Sequence, residues 1–249
     1  NRTRVLDAVV FDAQADGVST GRSPDGAPGF QELAAITPGG ANSAPLIRSV
    51  VINEIMYHPI SGLDDDEYVE LHNHGIGAVD ISGWRIQGGI DFIFPEGTLL
   101  APGGYVVAAK NAANLIAKYP QLNATNTFGN YSGTLRNSGE RIQLAMPDLS
   151  VSGGITNVYY IVVDEVTYFD GGRWGKWSDG GGSSLELIDP RADNREPMNW
   201  ADSDESGKAP WTLIDVTDFL ENGQSASIVH EGNNSYGIAN RFEFFLQGP

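Results

Sequence analysis

Two glutamates stand inside segments that otherwise have the composition of β-strands. Glu54 lies in VINEIMY and Glu70 in EYVELHN. Two carboxylates about 5 Å apart could act as the nucleophile and the acid of a retaining glycosidase. Buried carboxylates can instead be structural and accept hydrogen bonds from backbone N–H groups or from an arginine such as Arg85 or Arg141. We favour the structural role, because the sequence does not indicate the sugar-sized cleft that the reaction needs.

The alternation of side chains along a strand predicts where these carboxylates point. Glu54 is expected on the same face as Ile52 and Met56, and therefore largely buried. Glu70 is expected on a mixed face with Tyr68. If the two strands pair, the two carboxylates come close to each other.

A run of four acidic residues follows a glycine between these two segments. The run consists of Asp64, Asp65, Asp66 and Glu67. Clustered carboxylates on a loop are typical calcium ligands, although the spacing differs from that of an EF-hand. The residues DSDE at 202–205 form a similar cluster. The alternative is a solvated acidic loop that binds no cation.

Two tryptophans three residues apart form a candidate ligand platform. Trp174 and Trp177 lie in the segment GRWGKW beside Arg173 and Lys176. Exposed tryptophan rings can stack on sugars, and the same rings can cap the edge of a hydrophobic core. We favour the cap and keep glycan contact as the alternative.

Composition limits the classes of function. The chain has 249 residues and a net charge of −17, which disfavours binding to nucleic acid. It contains no cysteine, so disulfides, thiolate catalysis and zinc–thiolate sites are excluded. No apolar run approaches the roughly 20 residues that a membrane-spanning helix needs. No insertion into a membrane is therefore expected.

The elements that must position these residues are short strands separated by glycine- and proline-rich turns. The predicted strands are 49–57, 67–73, 79–87, 91–94, 105–109, 140–146, 158–168 and 184–188. A single helix is predicted at 111–119, where Pro120 ends it. Eight short strands with one short helix predict an all-β sandwich of two sheets over residues 48–195.

The chain also contains an internal repeat. Residues 6–33 match residues 163–187 in order, including Asp7 with Asp164 and an Asp-Gly pair in each copy. Residues 1–44 are therefore predicted to be the C-terminal part of a preceding domain of the same kind. Residues 199–249 are predicted to begin a further, jelly-roll-like β-module, with strands at 211–219, 226–231 and 241–247.

The ordered motifs VINEIMY, EYVELHN, DISGWRI, LAPGGYVVAA, SGERIQLAMP, VVDEVTYFD and GSSLEL resemble the lamin-tail domain, in particular its bacterial secreted or surface type. The resemblance implies an immunoglobulin-like sandwich that serves as a scaffold and supplies no catalytic residues. Animal members bind nuclear partners and DNA, whereas the acidity of this chain argues against DNA.

These observations predict a non-catalytic structural or interaction module of a large extracytoplasmic bacterial surface protein. The expected partners are other protein domains or copies of the chain, and glycans are a further candidate. A carbohydrate-binding accessory module is the alternative function, and a carboxylate-pair glycosidase is the third. Residues 4–33 are expected to pair with β-structure outside the 48–195 domain, because a short strand pair is not stable alone.

Overall fold

The computed structural model describes residues 7–9, 11 and 13–204, which form short strands and one α-helix. The α-helix is α1 (Ala112–Lys118). In chain order the strands are β1 (Ser19–Gly21), β2 (Gln31–Leu33), β3 (Val50–Met56), β4 (Tyr68–Asn73), β5 (Val79–Asp80), β6 (Arg85–Gly88), β7 (Ile90–Ile93), β8 (Leu99–Leu100), β9 (Tyr105–Ala109), β10 (Thr127–Phe128), β11 (Ser132–Gly133), β12 (Gly139–Ser152), β13 (Ile155–Phe169), β14 (Leu185–Leu187) and β15 (Trp200–Asp202).

Two sheets form a sandwich. One has six strands in the order β10-β9-β4-β3-β14-β15, and the other has five in the order β11-β7-β6-β12-β13. Two strand pairs, β1-β2 and β5-β8, complete the described sheets. The predicted all-β sandwich with one short helix is confirmed. The described residues contain no helix long and apolar enough to cross a membrane.

Alternating apolar residues of both sheets form the main core. Val69 and Leu71 from the six-stranded sheet and Ile142, Val166 and Tyr168 from the five-stranded sheet are all fully buried. On the opposite, outer face of the six-stranded sheet, apolar residues pack under α1. There Leu115 of the helix packs in a second cluster with Met56, Tyr68, Val107 and Ala109.

The predicted helix and most predicted strands are present, with shifted ends. The predicted strand 79–87 is interrupted, because a turn joins β5 to β6 and the N–H of Trp84 donates to the carbonyl of Ile81 at 3.0 Å. Strands β12 and β13 extend well beyond the predicted 140–146 and 158–168.

The six-stranded sheet continues past residue 195, where the sequence placed the end of the domain. Trp200 is buried and belongs to β15, which pairs with β14. Residues 199–204 therefore belong to the sandwich, although their polar neighbours had suggested a loop. The three strands predicted after residue 210 lie outside the described residues.

The N-terminal segment forms its own small sheet. Strand β1 pairs antiparallel with β2, and Leu33 at the end of β2 also bridges to Pro45. The side chain of Glu32 forms an ion pair of 2.7 Å with Arg48. In the described part of the segment, the strands thus pair with each other and contact the adjoining domain. The expected pairing with β-structure outside that domain stays a prediction, because the C-terminal strands lie outside the described residues.

Candidate functional site

Glu54 and Glu70 are directly opposite each other on β3 and β4. On its other side, Glu54 is opposite Glu186 of β14, so three neighbouring strands place glutamates in one row. A β-bulge between Ile52 and Glu54 inserts one extra residue into β3. Glu54 therefore leaves the face of Ile52 and lies half-buried on the outer face. The expected common face with Ile52 is wrong because alternation fails at the bulge.

Neutral side chains of the same two strands hold this pair of carboxylates. The hydroxyl of Tyr68 donates to Glu54 Oε1, and Asn53 Nδ2 donates to Glu70 Oε1 at 3.0 Å. Burial, together with the nearby charges of Glu54 and Glu186, raises the pKa of Glu70 to about 7. Glu70 is consequently a carboxyl group that changes its charge near neutral pH.

The arginines that the sequence offered as partners of these glutamates are engaged elsewhere. Arg85 forms a bidentate pair with Asp91, with distances of 2.7 and 2.8 Å, and Arg141 pairs with Glu165. Both acidic partners lie on strands of the five-stranded sheet. The structural role of the two glutamates thus depends on Tyr68 and Asn53 rather than on arginine.

The acidic run begins with a short 3-10 turn, Asp64–Asp66, beside α1. Asp66 accepts hydrogen bonds from Lys118, from Ser61 Oγ at 2.6 Å and from Asn114 Nδ2 at 2.5 Å. Burial raises the pKa of Asp66, but these hydrogen bonds outweigh burial and bring the pKa below its usual value. Asp66 therefore attaches the loop to the helix.

Glu67 points away from Asp66 and into the sandwich, where only 2% of its surface is exposed. It accepts from the hydroxyl of Tyr131 at 3.0 Å and from the N–H of Leu135 at 2.9 Å. Burial raises the pKa of Glu67 to about 7. This carboxylate therefore connects β4 to the segment before β12.

The four acidic side chains do not meet at one point. Asp64 and Asp65 are exposed, while Asp66 and Glu67 have separate partners. Within residues 7–9, 11 and 13–204, no three His, Asp or Glu side chains converge as they would around a metal ion. The geometry does not favour the predicted calcium site, and calcium binding at 64–67 stays a prediction.

The two tryptophans of the candidate platform have different environments. Trp174 is buried in the main core, with its ring 6.3 Å from that of Trp200. Trp177 remains 47% exposed. The rings therefore do not form one flat surface, and Trp174 has the position expected of a cap. Of these two rings, Trp177 alone could stack on a glycan.

A half-buried carboxylate, Asp164, connects the two sheets, and the sequence had matched it only to its repeat partner. Asp164 Oδ2 accepts from the N–H of Ile52 at 2.7 Å and from Asn194 Nδ2 at 2.6 Å. The same amide nitrogen of Asn194 donates to the carbonyl of Ile52 at 3.0 Å. Burial raises the pKa of Asp164 to about 7. The available sequence signal was an aspartate within the apolar run IVVDEV.

A cleft of about 440 Å³ lies between the N-terminal segment and the sandwich. Phe11 and Phe30 line one side, and Val51, Asp164 and Arg195 line the other. Neither Glu54 nor Glu70 is part of its wall. The cleft therefore adds no support for a sugar-cleaving carboxylate pair.

The fold and these carboxylates define an immunoglobulin-like sandwich in which Asp66, Glu67 and Asp164 connect segments of the chain to each other. The chain belongs to the lamin tail domain family, whose family model matches residues 43–170. The family consists of immunoglobulin-like, non-catalytic interaction domains. No curated protein matches the chain. The sheet extends beyond the matched region, through β14 and β15.

Proposed function

We propose that the chain is a structural and interaction module of an extracytoplasmic surface protein, in which β-units of one kind follow each other. One observation carries this proposal. The N–H of Ala34, after β2, donates to the carbonyl of Ala44 at 2.9 Å. The N–H of Ile188, after β14, donates to the carbonyl of Asn199 at 2.8 Å. In both places the residue that follows the strand is hydrogen-bonded to a residue about ten positions further along the chain.

The other side of each strand supports the same relation. Glu32 of β2 is opposite Thr20 of β1, and Glu186 of β14 is opposite Glu54 of β3. Strand β1 thus occupies the side of β2 that β3 occupies beside β14. The described residues up to residue 44 are proposed to be the end of a second unit of this type.

The contact between the two units suits a spacer that transmits orientation. Arg195, in the loop before β15, donates to the carbonyl of Phe30 at 3.0 Å and to Gln31 Oε1 at 3.2 Å. The ion pair between Arg48 and Glu32 adds a second connection. A spacer with connected units holds its partners at a defined distance, whereas freely jointed units would not.

Hydrogen exchange of the N-terminal unit tests this connection. We expect slow exchange of residues 19–33 in the wild-type chain and clearly faster exchange in Arg195→Ala. Arg173→Ala removes the same charge from an exposed position and serves as the matched control. If residues 19–33 exchange as fast in the wild type as in Arg195→Ala, the two units are not rigidly connected and the spacer proposal is contradicted.

Binding and turnover assays separate this function from its alternatives. A spacer is expected to show no glycan hydrolysis. Hydrolysis that Glu70→Gln abolishes would establish the carboxylate pair as catalytic. Glycan binding that Trp177→Ala abolishes would establish an accessory carbohydrate-binding module. A midpoint of thermal unfolding that rises with calcium, but not in Asp65→Asn, would establish the predicted calcium site.

A further inference from the structure

The hairpin of β12 and β13 continues beyond the sandwich as a two-stranded arm. We call residues 147–160 the ribbon. Every residue from 148 to 159 is exposed, so neither face of the ribbon is covered by a described element. Gly153 and Gly154, both with positive φ, form its tip. The exposed apolar side chains include those of Leu149 and Val158, at 65% and 50% exposure.

The two edges of the ribbon differ in how they are protected. The β12 edge carries Pro147 and Asp148, a proline and a charge that discourage pairing with another strand. Strand β13 is the last strand of the described five-stranded sheet. Its residues 155–161, ITNVYYI, include no charge, proline or glycine. This edge thus offers unpaired backbone groups without any of the usual protection.

We propose that the outer edge of β13, from Ile155 to Ile161, pairs antiparallel with the same edge of a second copy of this chain. Charge favours this place of contact. The chain carries a net charge of −17, so two copies repel each other over most of their surface. The ribbon contains a single charged residue, Asp148, and that residue lies on the opposite edge.

The sequence of the strand is complementary to itself. A twofold axis at Val158 places Thr156 opposite Tyr160 of the second copy, and Ile155 opposite Ile161 of the second copy. Pairs of aromatic and β-branched residues stabilise antiparallel strands, and no carboxylate faces another carboxylate. Because both copies use the same edge, the contact closes as a dimer and does not grow into a fibre. This pairing does not depend on the tandem arrangement of units.

Sedimentation of the 249-residue chain over a range of concentrations tests the proposal. We expect a monomer–dimer equilibrium in the wild type. Val158→Lys places two ammonium groups at the twofold axis and should weaken dimerisation at least about tenfold. Leu149→Lys is the matched control, because Leu149 is opposite Val158 on the other strand of the same ribbon. This variant should dimerise like the wild type.

Several outcomes would overturn the proposal. A wild type that stays monomeric at every concentration would do so, whether or not the ribbon then binds lipid vesicles or a strand of another protein. Equal loss of dimer in Leu149→Lys and Val158→Lys would show packing through the ribbon face instead of edge pairing. If Val158→Lys fails to fold, hydrogen exchange of the wild type decides. Protection of residues 155–161 must then increase with protein concentration.

Discussion

The side chains of Asp164 and Asn194 bond to the backbone of β3 at the point where β14 no longer pairs with it. Strand β14 pairs with β3 only at Glu54 and Ile55. Further along β3, both backbone groups of Ile52 bond to these two side chains. A backbone N–H left without an acceptor in this position costs stability. The three residues therefore form one unit that connects the two sheets.

Replacing Asp164 should show what this unit contributes. Asp164→Ala leaves the Ile52 N–H without its acceptor and removes one of the two acceptors of the Asn194 amide, and should lower the free energy of unfolding by about 1–3 kcal/mol. Urea denaturation near pH 5 measures this difference. Asp148→Ala, at an exposed position of the same hairpin, should change it by less than about 0.5 kcal/mol. Equal effects of the two substitutions would show that the unit is dispensable.

The ionised form of Glu70 should destabilise the folded chain above neutral pH. Its pKa in the folded chain is about 7, above the ordinary 4.5, so the charged form is disfavoured by folding. Glu70→Gln removes that charge and keeps an oxygen to accept from Asn53. We expect Glu70→Gln to be more stable than the wild type at pH 8 and similar near pH 4, as measured by thermal unfolding.

Glu96→Gln provides the control, because Glu96 is exposed on a loop. Its unfolding midpoint should follow that of the wild type at both pH values. A Glu70→Gln variant that is less stable than the wild type at pH 8 would mean that the ionised carboxylate is stabilising. Folding would then favour the charged form of Glu70, which contradicts its raised pKa.

At the scale of elements, the ribbon is the part of the fold that local sequence patterns predicted least well. Pro147, Asp148 and the pair Gly153-Gly154 are typical of loops, so the sequence suggested that the strands stop at residue 146. Cross-strand pairing continues instead through Ser152 and Ile155. The cross-strand pairs of the hairpin stabilise both strands, and this stabilisation outweighs the low strand propensity of single residues.

Shortening the ribbon should therefore leave the sandwich intact. Pro147 and Tyr160 are opposite each other, so the dipeptide Asn-Gly can replace residues 148–159 as a two-residue turn. Because every removed residue is exposed, the unfolding midpoint should stay within about 3 °C of the wild type. Far-UV circular dichroism during heating measures it. A chain that no longer folds would show that the ribbon is part of the folding unit.

At the scale of the whole molecule, carboxyl groups with shifted pKa values determine how stability depends on pH. Glu67, Glu70 and Asp164 each have a pKa of about 7 in the folded chain. Between about pH 4 and pH 7 the folded chain thus binds more protons than the unfolded chain, and stability falls as pH rises. Asp91 and Asp193 have lowered pKa values, so their contribution is lost as pH falls through the acidic range.

Together these groups predict a maximum of stability at about pH 4. Calorimetry from acidic to mildly alkaline pH, at constant ionic strength, should show a midpoint several degrees lower at pH 8 than at the maximum. The profile of Glu70→Gln should be flatter between pH 5 and pH 8. A midpoint that rises steadily through this range would contradict the raised pKa values.

The sequence by itself determined the class of this protein and the approximate position of most of its strands. Alternating apolar residues and glycine- or proline-rich turns are local signals, and the core residues Val69, Leu71, Val166 and Tyr168 follow from them. The order of the motifs was enough to indicate the family that the comparison then established.

Only the tertiary structure decided what the polar residues do. Asp66 bonds to Lys118, 52 residues further along, and Asp164 bonds to the N–H of Ile52, 112 residues away. The bulge in β3 turns Glu54 toward Glu70, and Trp200 covers Trp174. A carboxylate that binds a lysine side chain and a carboxylate that binds a metal ion can have the same local sequence. The partner that distinguishes them is brought near by the fold, because it lies far away along the chain.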